Sequence, residues 1–245
     1  MNSSGPGADS APIRDAASVV LLRDSARGME TFTLTRATTM VFAASATVFP
    51  GGGVDAADHA VPAALQRSSS ASAAPATAFD DDESLALPLM ATAVRETFEE
   101  SGVLLGLPPE SPLPSPQVRE SARRALEAQE LSIWDLFAQL DIEPDFSVLH
   151  RTGRWITPQG QPRRYDARFF LAEMPAGQDT LLGTTEATSA RWIAPQRALE
   201  LFEKGETFLM RPTEYLLTAL RNFASVEEAL QGAPLQSAAS LPRVE

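Results

Sequence analysis

The sequence predicts a mixed α/β protein in which helices pack as layers against a sheet. Three observations carry that reading. β-rich runs, "AASVVLLRD" (16–24) and "ETFTLTR" (30–36), open the chain; a helix-period stretch, "LPLMATAVRETFEES" (87–101), occupies its middle; strands and then helices return after residue 145. That order does not suit a doubly wound βαβ repeat, in which strands and helices alternate throughout.

Each element has a local cause. "SARGM" has the composition of a hairpin link between the first two strands. "SATVFPGGG" (45–53) reads as a strand that stops abruptly at a backbone-dominated loop, because Pro50 and three glycines end it. Residues 59–86 turn to low complexity, with "RSSSASAAPATAF" and then "DDDE", an acidic run read as solvated charge rather than a metal site. In the central helix Leu89, Met90, Ala93, Val94 and Thr97 recur at three- and four-residue spacing, and Gly102 is its expected stop. Two further helices are predicted over 117–129 and 132–140, the second with an apolar stripe of Trp134, Leu136, Phe137 and Leu140. "FSVLHRTGRWIT" and "YDARFFLAEMP" read as hairpin-linked strands, and "SARWIAP" as a last strand. "PQRALELFEKG" and "RPTEYLLTALRNF" close the chain as helices, the latter with Pro212 in its first turn. The expected organisation is a disordered tail over 1–14 and one domain over 15–224, with a low-complexity insertion at 59–86 and a helical one at 117–140. A C-terminal helix and frayed tail take up 225–245.

Composition narrows the function. A net charge of −12 argues against nucleic acid or an anionic membrane as partner, since both require a basic surface. An anionic substrate then needs local arginine or a metal ion. The chain has no cysteine, which excludes disulfides and thiolate chemistry and suits a cytoplasmic location. No apolar run approaches the roughly 20 residues of a spanning helix. His59 and His150 are the only histidines, and no G-x-S-x-G elbow accompanies them, so a Ser-His-Asp hydrolase fits poorly. Trp155, Trp192 and Tyr165 are read as core or structural residues.

One short stretch stands apart. In "RETFEESGV" (95–103), Glu96, Glu99 and Glu100 stand at i, i+3 and i+4, so a helix holds three like charges on one face. Their repulsion costs a few tenths of a kcal/mol per exposed pair unless a cation compensates. A hard divalent ion bound by carboxylates and substrate phosphates would do so. The bland alternative is a solvated helix face. Upstream, "FPGGGVDAAD" offers backbone amides and carbonyls that can approach a ligand closely.

Gly52-x5-Asp58 followed by Arg95-Glu96-Thr97-x-Glu99-Glu100-x-Gly102-Val103 resembles the Nudix box, G-x5-E-x7-R-E-U-x-E-E-x-G-U, in which U is a bulky aliphatic residue. The second half is intact, and "FPGG" precedes the box as in that superfamily. Asp58 replaces the first glutamate, Thr97 replaces an aliphatic residue, and 36 residues separate Asp58 from Arg95. A surface insertion of that kind is tolerated, because closure entropy grows slowly with loop length. "RATTMVFAASATVFPGGGVDAAD", "PRRYDARFFLA" and "ARWIAP" further resemble the coenzyme A diphosphatase-related branch, in which a long insertion splits the box. The accessory CoA signature L-L-T-x-R-[SA]-x3-R-x3-G-x3-F-P-G-G fits without a gap onto Arg36, Ala37 and "FPGG". Val41 and Ser45 stand where its second arginine and its glycine belong, and Leu34 replaces its threonine.

The resemblance implies a Nudix-type α/β/α sandwich with a mixed sheet plus extra helices. It implies Mg2+ or Mn2+ held by Glu96, Glu99 and Glu100, with the Gly51 carbonyl as a further ligand, and Arg95 pairing with an acidic box residue, Asp58 being the candidate. Glu186 sits where many members supply a later acid, against the alternative of an exposed loop glutamate. Arg36 and Arg168 are substrate-phosphate candidates, with pairing to Asp166 or a solvated strand face as the alternatives for Arg168, and Gly52 belongs to the substrate-facing loop. The implied activity is metal-dependent cleavage of a nucleoside-diphosphate-linked small molecule. CoA or acyl-CoA is favoured, giving 3′,5′-ADP and phosphopantetheine or its acyl form. ADP-ribose or a nucleotide sugar is the alternative within the class, a non-catalytic Nudix-fold binding module is the alternative outside it, and a homodimer is left open.

Overall fold

The computed structural model describes residues 11–36, 46–67, 83–180 and 187–232. Most of the N-terminal tail, the middle of the accessory signature (37–45), the "DDDE" run up to Asp82, Glu186 and the C-terminal tail (233–245) lie outside the described residues.

β1 (Ile13–Ser25) and β2 (Gly28–Arg36) form the expected hairpin, with Leu22 opposite Thr31 and Ser25 opposite Gly28. β1 begins earlier than residue 16 because its first residues pair in parallel with β6 (Arg164–Glu173), Ile13 opposite Arg164. β3 (Ala46–Val48) and β4 (Gly51–Gly53) come from the "FPGGG" segment; β3 pairs with β2, and β4 with the first half of β1. The sheet is mixed and runs β5-β6-β1-β2-β3-β8, where β5 is His150–Ile156 and β8 Phe208–Leu209, while β7 (Ala187–Ile193) lies on the other side of β2. Because β1 joins β2 at one end and β4 at the other, the sheet splays there, and the glycine loop sits in the opening.

Helices cover both faces. On one side α2 (Glu83–Ser101), α3 (Pro116–Glu127) and α4 (Ile133–Gln139) bury Met90, Val94, Phe98, Leu126, Trp134 and Phe137 against Val19, Leu21, Phe32 and Phe170. On the other, α5 (Pro195–Glu203), α6 (Arg211–Leu220) and α7 (Val226–Gly232) pack Leu199, Leu217 and Ala229 on Val20, Leu22 and Leu171. Alternation along β1, with Val19 and Leu21 one way and Val20 and Leu22 the other, is what lets one strand serve both cores. This is the expected α/β/α arrangement.

Three local differences have local reasons. Residues 146–148 form a 3-10 turn instead of strand, because the Asp145 carboxylate accepts from the Ser147 amide and curls the backbone. A short helix, α1 (Ala63–Arg67), lies within the low-complexity stretch. α2 starts at Glu83, before the expected end of that stretch at 86, and carries Pro88 early in the helix. Among the described residues no helix is long and apolar enough to cross a membrane.

Candidate active site

Arg95 is the hub of the site. Arg95 is 7% exposed, and its guanidinium reaches both halves of the split motif. Nε donates to Asp58 Oδ1 at 3.0 Å and Nη2 to Asp58 Oδ2 at 2.9 Å, a two-point pairing with a carboxylate that is 1% exposed. Nη2 also donates to the Gly53 carbonyl at 3.1 Å. Nη1 donates to Glu96 Oε1 at 2.9 Å and to Glu99 Oε2 at 3.2 Å. One side chain therefore ties loop, strand and helix together across the 36 intervening residues.

The two substitutions in the box are absorbed locally. Asp58 is short, but the Asp55 amide and the Thr92 hydroxyl each donate to its Oδ2 at 2.9 Å, and Trp134 Nε1 donates to its backbone carbonyl at 3.0 Å. Thr97 is fully buried, and its hydroxyl is satisfied by the Ala93 carbonyl at 2.7 Å, so its methyl can serve in an apolar position. Gly102 ends α2 with φ +73°, its amide donating to Phe98 O.

Glu100 points to the glycine loop, where its Oε2 accepts from the Gly51 amide at 2.9 Å. Glu96 lies directly on Gly52: a Cβ there would meet the Glu96 carboxyl carbon at 2.6 Å. At Gly51 a Cβ would stand 2.6 Å from Ser18 Cα, which is backbone and cannot swing away. Gly51→Ala is accordingly expected to destabilise the fold by about 1–3 kcal/mol, since overpacking must shift main chain. Gly52→Ala displaces only a side-chain tip; it is expected to keep its melting temperature while losing about 10- to 100-fold in divalent-ion affinity or activity. Thermal melts together with an ion titration check both.

Burial dominates the electrostatics. It pushes the Glu96 carboxyl up, with Arg95 opposing, and pushes Glu99 up to about 7 against Arg95 and with the help of Glu96. Burial works against the Arg95 charge, yet the Asp58 hydrogen bond and the charges of Glu96, Asp58 and Glu99 outweigh it and raise its pKa. An acid raised from 4.5 to about 7 on folding holds its proton more tightly in the folded chain. Its contribution to stability is absent above pH 7 and grows as pH falls towards 4.5. In chelator, wild type is thus expected to gain more stability than Glu99→Gln between pH 8 and about pH 5.5, read by thermal melts of the pair. An equal gain in both would assign the effect elsewhere.

These groups line a cavity of about 1710 Å3. Its walls include Arg36, Gly51 to Gly53, Asp55, Arg95, Glu96, Glu99 and Glu100, together with Trp155, Tyr165, Phe169, Phe208 and Arg211. Among the described residues no three acidic or histidine side chains already form a metal cage. The donor chemistry fits a divalent ion all the same: three carboxylates supply hard oxygens, at least two of them carry charge that burial disfavours, and Gly52 leaves room for one of them.

Arg168 is not part of this wall, which corrects its expected role as a phosphate ligand. Alternation along β6 turns Ala167 and Phe169 to the cavity and Arg168 to the opposite face, 2% exposed. There it donates to Asp15 Oδ1 at 2.6 Å and to the Asp166 carbonyl at 2.7 Å. Arg36 does line the cavity, and its Nε is buried without a hydrogen-bond partner among the described residues. Trp192 is structural as expected, 5.5 Å from the Phe32 ring with Arg23 stacked on it, whereas Trp155 and Tyr165 reach the cavity. Sequence reasoning missed Thr92, Phe208 and Arg211. Thr92 was within reach of it, since it stands three residues before Arg95 on the same helical face.

A family model describing the NUDT19 Nudix domain matches residues 62–220. A human protein named acyl-coenzyme A diphosphatase NUDT19 is 30% identical over 83% of this chain, and its chicken counterpart 33% identical over 80%. The chain spans 63% and 62% of the length of these relatives. A crystal structure of a NUDIX hydrolase from Alicyclobacillus acidocaldarius superposes with a TM-score of 0.71 at 26% identity, covering 92% of this chain and 99% of that one.

Proposed function

The chain belongs to the Nudix hydrolase superfamily, related within it to the coenzyme A diphosphatase branch, and on that premise we propose that it cleaves the diphosphate of CoA or acyl-CoA with the help of a divalent metal ion. The products are 3′,5′-ADP and 4′-phosphopantetheine or its acyl form. The observation that supports this most is the Arg95 assembly, which brings Asp58, Glu96 and Glu99 together beside the glycine loop on one wall of a large cavity. That cavity exceeds the roughly 300–1,000 Å3 of an ordinary small-ligand pocket, as an extended substrate requires.

In this reading Glu96, Glu99, Glu100 and the Gly51 carbonyl would hold the ion, Mg2+ or Mn2+. When bound, such an ion neutralises the diphosphate, makes a coordinated water more acidic and stabilises the leaving phosphate oxygen. Arg95 and Asp58 hold helix and loop in register and touch no substrate. Arg36 offers its unpaired Nε to a substrate phosphate. The water's proton goes to a glutamate of the cluster or to Glu186, and single glutamine substitutions of each separate the two. All box residues come from one chain, so a monomer or a homodimer would serve equally, and a cytoplasmic location belongs to the same proposal. The test is a substrate panel, CoA, acyl-CoA, ADP-ribose and a nucleotide sugar, with products read by mass. Preference for the CoA species is expected; turnover of ADP-ribose or a nucleotide sugar alone would reassign the substrate within the class.

A further inference from the structure

Coenzyme A carries a phosphomonoester on its ribose 3′ oxygen in addition to the diphosphate. Taking that doubly charged group out of water is costly unless a fixed cation receives it. Four arginines line the cavity, Arg36, Arg95, Arg163 and Arg211, and Arg95 is committed to Asp58, Glu96 and Glu99.

The other three divide by position in the sheet. Arg163 precedes β6, towards the β5 edge, whereas Arg36 ends β2 and Arg211 follows β8 at the opposite edge. Thr35 pairs with Thr47, and Ala46 with Phe208, so β3 alone separates the end of β2 that carries Arg36 from Phe208, a span of about 10 Å across three strands. Phe208 is 56% exposed, unusual for a phenylalanine, and its ring belongs to the cavity wall.

Arg211 comes three residues later, at the start of α6, where the positive end of the helix adds to its charge. It makes no ion pair among the described residues, and Arg36 Nε, across β3 from it, is buried without a partner. Glu214, one turn into the helix, is the acid on this stretch of wall; two guanidiniums outweigh it.

We propose that Arg211, with Arg36 beside it, binds the 3′-phosphomonoester of the substrate and so sets the discrimination between CoA and its dephospho form. This rests on the CoA reading above. The exposed Phe208 ring gives the adenine a face to stack on, which places the nucleotide at the β8 edge.

Steady-state kinetics of the full chain with CoA and with dephospho-CoA test it. Arg211→Ala is expected to raise KM for CoA roughly 10- to 100-fold, with kcat changed less than about twofold and the KM for dephospho-CoA unchanged. Arg211→Lys should restore part of the loss, because it keeps the charge. Equal effects on both substrates, no effect, or the same loss of discrimination in Arg163→Ala instead would each overturn the assignment. Calorimetry with 3′,5′-ADP and 5′-AMP makes the test independent of turnover. Wild type should bind 3′,5′-ADP more tightly and Arg211→Ala should not; equal affinities in wild type would overturn the proposal even if CoA is hydrolysed, and a preference lost in the variant would sustain it even if it is not.

Discussion

Glu99→Gln is expected to lower CoA turnover by roughly 1,000-fold or more while leaving the fold intact, because a metal-held carboxylate supplies several kcal/mol of transition-state stabilisation. The two halves of that expectation have separate causes. Glu99 sits at the centre of the acidic face, one turn from Glu96 and beside Glu100, and shares Arg95 Nη1 with Glu96. Replacing it removes a hard, charged oxygen and puts an amide in the same volume. Stability should hold or rise, since burial already disfavours the Glu99 charge and pushes its carboxyl up to about 7. The amide oxygen can still accept from Arg95. Measured kcat beside a thermal melt decides it: full activity in a folded variant would remove Glu99 from the metal site, and an unfolded variant would show its role to be structural.

Asp58→Ala is expected to cost about 3–5 kcal/mol of stability, the loss typical of removing one partner from a buried ion pair. Arg95 would keep its neighbours Glu96 and Glu99 but lose its two-point partner at 3.0 and 2.9 Å. The Asp55 amide would lose its acceptor as well, and the Thr92 hydroxyl would be left with the Pro88 carbonyl at 2.9 Å. Against a total of about 5–15 kcal/mol for an ordinary domain, that is a large fraction. Urea unfolding should show a lower midpoint at an unchanged slope. A loss under about 1 kcal/mol would mean that Glu96, Glu99 and the Gly53 carbonyl suffice to hold Arg95, and that Asp58 contributes little.

What could be read from the chain follows from how local each signal is. α2 was legible because its apolar residues repeat with the helical period and Gly102 ends it. The Glu96, Glu99 and Glu100 face follows from the same spacing. Pairing of Asp58 with Arg95 was only a candidate, since a link across 36 residues is a tertiary fact. Its support by Trp134, from a helix further along the chain, carries no sequence signal at all. Arg168 shows the opposite failure. A charge in an apolar strand looked functional, but strand alternation sent it to the face where Asp15 and Asp166 await it. Arg211 reads in the sequence as the first residue of a closing helix and Phe208 carries no signal there; the pairing of β3 with β8 brings them to the side of the sheet that holds Arg36.

The most direct test is hydrolysis of CoA by the wild-type chain in chelator and after addition of Mg2+ or Mn2+, followed by product mass. Formation of 3′,5′-ADP and 4′-phosphopantetheine is expected only when the divalent ion is present. Cleavage at the same rate in chelator, or no cleavage with either ion, would contradict that expectation.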